Sequence, residues 1–458
     1  MKLSRTLLAS TLVAALGGLL FGFDTAVISG TTDDLTRVFG LDRPWLGMSG
    51  GFWLGFTVAS ALVGTVIGSI AVGRPADKLG RRTTLVWMAI FYFVSALGSA
   101  LAWDWASFNF FRFLGGLGVG GASVVSPMYI AEISPARLRG RLVAVQQFNI
   151  VFGILLAYLS NYVVAQQDLG ETAWRWMFGV EAVPAAAFFL LLFTVPRSPR
   201  WLVAERRVDE ARSVLSRLGT DEGSVDDEVR AIQASLDVEH HSLAEPLFQS
   251  KYRSPILLAV AIAMFNQLSG INALMYYAPH IFKLAGAAAD SALLQSVIVG
   301  LTNLVFTMLA LSVIDYFGRR TLMLVGSVGY IVSLSATAWA FYTYGTNFTP
   351  TGSRVVLASL LVFIASHAFG QGAVIWVFIS EIFPNRVRAR GQALGSFTHW
   401  IMAAGISWTF PMFAKASGGH TFAFYAAMMV LQLVWVIAIM PETKGVPLEE
   451  IQKRLHIE

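Results

Sequence analysis

Two sets of residues in this chain have the types and spacing for chemistry, and both stand inside long apolar runs. The first is Asp24 with Arg112. Asp24 lies in LGGLLFGFDTAVISG and Arg112 in FNFFRFLGGLGVGG, stretches that carry no other charge. A lone carboxylate in hydrocarbon is costly and tends to take up a proton, while a lone guanidinium must find a partner, so the two belong together. When paired, the arginine favours the ionised acid; when separated, desolvation favours the protonated acid. Proton binding is then linked to a change of conformation. Glu181, in GVEAVPA, is a third acid at such depth and a candidate relay. The plainer alternative is a static ion pair that only orients helices.

The second set is Phe265 to Pro279, FNQLSGINALMYYAP. Asn266, Gln267 and Asn272 carry carboxamides that both donate and accept, which suits a ligand made of hydroxyls. Gly270 allows the helix to unwind or a ligand to approach the backbone. Tyr276 and Tyr277 add hydroxyls to apolar bodies. Unpaired amides in hydrocarbon cost several kcal/mol each, roughly, so this face must meet protein or a watery cavity. Helix-to-helix glue and a binding surface are both consistent with that requirement.

These residues must be positioned by membrane helices. Over 458 residues the chain is 55% hydrophobic and 13% charged, with a mean hydropathy of +0.62. That balance excludes an ordinary soluble domain. Apolar runs of about 20 residues fall at 8–30, 50–73, 84–103, 106–130, 142–164, 176–195, 255–282, 289–313, 321–342, 355–380, 392–413 and 420–440, here helices 1 to 12. The sequence predicts an all-α membrane protein of twelve transmembrane helices. Lys and Arg orient it. Of the 33, only Arg37, Arg43, Arg175, Lys283, Arg354 and Lys415 fall in the loops assigned outside, and only Arg112 falls within a run. Both termini are therefore expected in the cytoplasm. The net charge of +5 is explained by topology and anionic lipid and gives no support to nucleic-acid binding. Without cysteine, disulfides, thiolate metal sites and cysteine nucleophiles are excluded. No metal cluster, phosphate loop or cofactor motif stands out, so an enzyme is not expected; GGLGVGG at 115–121 follows no strand and reads as close helix packing.

An internal repeat organises the helices. Gly80, Arg81 and Arg82 return as Gly318, Arg319 and Arg320; Glu132, Ile133, Pro135, Arg137 and Arg139 return as Glu381, Ile382, Pro384, Arg386 and Arg388. PRSPRWL from 196 pairs with PETKGVP from 441. A near-constant offset means that six helices were duplicated in the same orientation, giving two parallel six-helix halves with a substrate site near the bilayer midplane between them. The expected division is 1–196, a linker at 197–253 with short amphipathic cytoplasmic helices, a second half at 254–441, and a tail at 442–458. Acids at cytoplasmic helix ends, Asp77, Glu132, Asp315 and Glu381, sit beside Arg81, Arg139, Arg319 and Arg388. Their duplication in the same order favours a cytoplasmic gate of ion pairs, formed in the outward-open state, over chance proximity.

The motifs GRPADKLGRR at 73–82, RFLGGLGVGGASVVSPMYIAEISPARLRGRL at 112–142, PRSPRWL at 196–202, QLSGINALMYYAP at 267–279, DYFGRR at 315–320, WVFISEIFPNRVRARG at 376–391 and PETKG at 441–445 span nearly the whole chain. With them the sequence resembles the sugar porter branch of the major facilitator superfamily. The resemblance implies sugar ligands at Gln147, Gln267, Asn272, Asn303 and Trp376, with Phe21, Tyr276 and Trp400 as the aromatic wall. A pyranose, with apolar faces and a rim of hydroxyls, requires that chemistry. Helix 1 of proton-coupled bacterial members reads like GGLLFGFDTAVISGT, whereas facilitative mammalian members lack an acid at the position of Asp24. Four departures ring the implied site. Asn266 replaces the first of two glutamines, His399 stands where a glutamine precedes Trp400, Ile154 replaces an amide, and Gly372-Ala373 replaces Gly-Pro. The expected function is proton-coupled monosaccharide symport by alternating access, for a D-xylose or D-glucose type sugar, by a monomer in the bacterial plasma membrane. A facilitative uniporter and a non-transporting sugar sensor are the alternatives. The sensor would call for a long cytoplasmic extension.

Overall fold

The computed structural model describes residues 4–135, 137–219, 224–242, 245–384, 386–446, 448–455 and 457, leaving out the side chains of 237–242, 315, 448 and 449. The charge of Asp315 therefore lies outside the description. Among the described residues eleven helical segments are long and apolar enough to cross a membrane: Arg5–Gly30, Gly50–Ala71, Arg81–Ala100, Trp105–Ile133, Arg139–Ala165, Gly170–Leu191, Ser250–Leu284, Ala289–Ile314, Arg319–Tyr344, Pro350–Ile382 and Gly418–Ala438. They are helices 1 to 10 and 12. Helix 11, Arg388–Ala416, has the length of a span at 29 residues, but Gln392, Thr398, His399 and Ser407 dilute its apolar character. Those side chains can be carried through hydrocarbon only by facing protein or water. The fold is all-α with twelve transmembrane helices, and the only β pairing described is an isolated bridge between Trp45 and Met48.

Three helices are interrupted where the sequence relaxes the backbone. Helix 7 stops at Leu268 and restarts at Ile271, with Gly270 in the left-handed region at φ +84°. A Cβ there would come within 2.6 Å of the Tyr425 ring, so conformation and space both require glycine. Helix 10 breaks between Phe369 and Gln371, where Gly370 packs on Gly326 so closely that a Cβ would stand 3.0 Å from its Cα. Helix 6 breaks between Gly179 and Ala182, beside Glu181.

The chain forms two compact units. Unit 1 comprises Met1–Asp24, Val63–Ile154 and Phe178–Glu245; unit 2 comprises Thr25–Leu62, Leu155–Met177 and Pro246–Glu458. In unit 1 the glycines of helix 4 pack as expected. A Cβ at Gly120 would lie 2.2 Å from the Thr65 carbonyl oxygen, and one at Gly121 would lie 2.1 Å from Met88 Sδ. Short helices Pro199–Ala204, Val208–Leu218 and Val225–Ser242 follow helix 6. The first is tied down by the Trp201 indole, which donates to the Asp77 carbonyl at 2.8 Å. In unit 2 the later parts of helices 1 and 5 join helices 7 to 12. Tyr158 donates to the Met275 carbonyl at 2.8 Å, and Lys283 reaches Asp33 at 2.6 Å.

Candidate functional site

Helices 1 and 4 of unit 1 bring Asp24 and Arg112 together as their isolation in the sequence requires. Arg112 Nη1 donates to Asp24 Oδ1 at 2.5 Å, and Nη2 donates to Oδ2 and to the Asp24 carbonyl at 3.3 Å. Arg112 is 1% exposed and Asp24 3%. The guanidinium also lies over the Phe178 ring, 5.3 Å from its centroid. A Cβ on Gly115 would meet Ser95 Oγ at 2.3 Å and Asp24 Oδ1 at 3.5 Å, so the bare glycine makes room for the Ser95 hydroxyl beside the carboxylate. Glu181 is buried at the break in helix 6, and its Oε1 has no hydrogen-bond partner among the described residues. Removing one member of a buried ion pair costs about 3–5 kcal/mol, because the other charge is left stranded. A proton on the carboxylate is one way to discharge it.

In unit 2 the broken helix 7 presents its amides to one another and to helix 11. Gln267 is fully buried; its Nε2 donates to Asn266 Oδ1 at 2.8 Å and its Oε1 accepts from Asn272 Nδ2 at 2.7 Å. The same Nε2 lies 3.2 Å from His399 Nδ1 and 3.4 Å from Nε2, facing the N–C–N edge of the ring. His399 packs against Trp376, one of the expected sugar ligands, and Trp400 of the expected wall, at 5.0 Å and 4.9 Å between centroids. Asn303 takes a weak bond from Thr307 at 3.4 Å. Tyr277 donates to the Ser407 carbonyl at 2.8 Å, which makes it a tie between helices 7 and 11, and Tyr276 is buried one position before it. Amides facing an imidazole between indoles can accept and donate to hydroxyls while stacking on a sugar's apolar face. Phe21, Gln147 and Ile154 belong to unit 1, with Ile154 buried and the other two half-buried.

The repeated charge motifs form two closely matched clusters, each inside its own unit. Arg81 Nε donates to Glu132 Oε1 at 2.9 Å, and Ser198 Oγ donates to Glu132 Oε2 at 2.5 Å. Arg319 Nη2 donates to Glu381 Oε1 at 2.8 Å, and Thr443 Oγ1 donates to Glu381 Oε2 at 2.6 Å. Arg388 turns back to the Phe383 carbonyl at 3.3 Å, and Arg139 is exposed.

Some polar groups at this depth escape a reading of single motifs. Tyr330, on helix 9, bridges the break in helix 10, with its hydroxyl 2.5 Å from His367 Nδ1 and 3.3 Å from Gln371 Oε1. Gln371 donates to Gln432, which donates to Ser327 at 2.7 Å. The signal available was the local pattern His367, Gly370, Gln371: a polar pair on either side of a glycine within an apolar run.

The profile of the family described as "Sugar (and other) transporter" matches residues 10–455. The chain belongs to this sugar transporter family. It is 39% identical to the D-xylose-proton symporter of Escherichia coli K12 over 98% of this chain and 96% of that protein, and 35% identical to the arabinose-proton symporter of Bacillus subtilis over 96% and 93%. It also superposes on the inward open conformation of the E. coli xylose transporter XylE with a TM-score of 0.86, at 38% identity, over 98% of this chain and 99% of that one. This transporter is a multi-pass plasma-membrane protein of the major facilitator fold.

Proposed function

We infer that the transporter is a proton-coupled monosaccharide symporter working by alternating access on a D-xylose or D-glucose type sugar. The observation that carries this is the buried Asp24–Arg112 pair with Glu181 close by, a set of charges that a passive sugar carrier does not need. Asp24 takes the coupling proton. Pairing with Arg112 supports the charged acid; once a rearrangement draws the two apart, the acid must be neutralised where it stands. Gln267, Asn266, Asn272, Asn303 and Trp376, with Gln147, hold the sugar's hydroxyls. Phe21, Tyr276 and Trp400 stack on its faces, and Ile154, Gly372 and His399 shape the choice among sugars. Unit boundaries aside, the six-helix halves at 1–196 and 254–441, joined by 197–253, are the pieces that rock. Both termini lie in the cytoplasm, and one chain suffices. The clusters around Glu132 and Glu381, with Arg139 and Arg388, gate the cytoplasmic side. The test is uptake of radiolabelled sugars by proteoliposomes with and without an imposed pH gradient. Accumulation only with an acidic exterior supports symport, and equal uptake in both conditions returns the reading to a uniporter.

A further inference from the structure

The interior of unit 1 carries polar groups that the sugar site does not use. On helix 1, Ser10, Gly17 and Asp24 recur at seven-residue intervals and so share a face, about 10 Å apart along the axis. On helix 4, Arg112, Gly115, Ala122, Ser126 and Tyr129 follow steps of three, four and seven residues, which also keeps them on one face. The two faces meet. A Cβ on Gly17 would touch Ser126 Oγ at 2.5 Å and Ala122 at 3.4 Å, as a Cβ on Gly115 would approach Asp24. Helix 3 adds Tyr92 and Ser95. The Tyr92 hydroxyl donates to the Gly17 carbonyl at 3.4 Å, and the same side chain lies within electrostatic reach of both Asp24 and Glu181. Beyond Ser126, one turn along helix 4, the Tyr129 hydroxyl donates to the Pro196 carbonyl at 2.7 Å and is hydrogen-bonded by Ser10. A polar seam thus runs from the Asp24 level to the end where helix 1 begins.

Several members of the seam are buried without partners. Ser126 Oγ is fully buried; Ser95 Oγ and Glu181 Oε1 belong to residues at most 3% exposed. None has a hydrogen-bond partner among the described residues. Leaving a buried polar group unsatisfied costs about 1–3 kcal/mol, and three such groups along one seam are more than packing alone would retain. Internal water, which bonds to two to four such groups at a time, is the ordinary remedy.

We propose that this seam holds a chain of water molecules through which the proton released by Asp24 reaches the cytoplasm inside unit 1, without passing through the sugar site. The inference rests on the reading of Asp24 as the proton carrier. The Asp24 carboxyl gives its proton to a neighbouring water or to the Glu181 carboxylate and is left negative opposite Arg112. One proton hops from water to water past Tyr92, Ser126 and Ser10, and one proton appears at the cytoplasmic end. No other reactant is consumed.

The test uses Tyr92→Phe and Ser126→Ala, each deleting a single hydroxyl, their combination, and Ser126→Thr, which keeps the hydroxyl. In proteoliposomes the combined variant should slow pH-gradient-driven uptake about tenfold, while sugar counterflow, which needs no net proton release, keeps its wild-type rate and half-saturation. Ser126→Thr should preserve both rates. Wild-type uptake by the combined variant overturns the proposal, and so does an equal fall in uptake and counterflow, the mark of damaged packing. Asp24→Asn run alongside separates the two readings. If it loses gradient-driven uptake while the seam variants do not, only the seam fails; if it keeps that uptake, Asp24 is not the carrier and the seam has no proton to conduct.

Discussion

Unit 1 buries a carboxylate, a guanidinium and a second acid, each at most 3% exposed, in Asp24, Arg112 and Glu181. Around helix 7, unit 2 buries Asn266, Gln267, Ser269, Tyr276 and Tyr277, with no formal charge among them. The charge motifs repeat between the two regions, yet the regions bury their polar groups differently. A charge in a dry interior is tolerable only beside a fixed opposite charge, so it suits a group whose charge is meant to change. Neutral amides lose less on burial and can exchange partners with hydroxyls, so they suit a ligand that must arrive and leave. On the proposed reading the contrast separates energy coupling from recognition, and variants can attack each alone.

The largest effect is expected from the charged side. Asp24→Asn imitates the protonated acid in shape and removes the titration. Uptake driven by a pH gradient should fall to passive equilibration, while sugar binding by calorimetry and counterflow exchange remain. Accumulation against a gradient by this variant, with the exterior acidified, would collapse the division of labour. Arg112→Leu should do worse, since it strands a buried carboxylate; a loss of about 3–5 kcal/mol in stability would be read as a sharp drop in melting temperature, partly restored by adding Asp24→Asn.

On the neutral side the expected effect is one of affinity. Gln267→Ala removes the amide that holds Asn266, Asn272 and His399 in one network. A loss of about 1–3 kcal/mol, or roughly 5- to 150-fold in dissociation constant, should follow without loss of coupling. His399→Gln should leave coupling intact and alter the ratio of affinities among pentoses and hexoses, because the ring sits between Trp376 and Trp400. An unchanged ratio would leave His399 as packing.

A third test uses the feature in which the regions agree. Glu132 and Glu381 each hold an arginine and a hydroxyl, from Arg81 with Ser198 and from Arg319 with Thr443. Arg81→Ala and Arg319→Ala should therefore cost similar stability, about 1–3 kcal/mol each, seen as similar shifts in melting temperature. A large inequality would mean that only one cluster does structural work in the state sampled.

Much of this was legible in the sequence because it rests on local rules. Spans follow from apolar length, and the break in helix 7 from a glycine among amides. Arg112 and Asp24 could be paired because each was isolated in its run. The seam was harder, since Ser10, Gly17 and Ser126 look like any small residues at a helix contact, and only the neighbouring helix reveals which of them lack partners. The bridge from Tyr330 to His367 and Gln371 was hidden for the same reason: it joins helices 9 and 10 across a break whose geometry a single sequence does not state. Helix 11 was found by length although its polar residues weaken it, and one of them, His399, proves to face Gln267.

The smallest expected effect concerns the contact between Asp33, just after helix 1, and helix 7. Lys283 Nζ lies 2.6 Å from Asp33 Oδ2 and His280 Nδ1 lies 3.6 Å from Oδ1, on side chains about a quarter to a half exposed. A bond from His280, and then Lys283, hold the Asp33 carboxyl well below its ordinary value of 3.8 against the opposing effect of burial. A depressed acid stabilises the contact above its unfolded value and loses that contribution only as pH falls through the folded one, so the latch should be constant from about pH 5 to 8. Exposed pairs contribute about 0–1 kcal/mol, and Lys283→Met should shift the conformational balance by no more than about fivefold. The chain has no cysteine, so maleimide labelling of Thr32→Cys, a buried neighbour of Asp33, reports the opening directly. Labelling from outside should quicken in the Lys283→Met background by the same factor at pH 5 and pH 8. A difference confined to the acid side would move the control from Asp33 to the imidazole of His280, and no difference at either pH would leave the closure to the apolar contacts of helices 1 and 7.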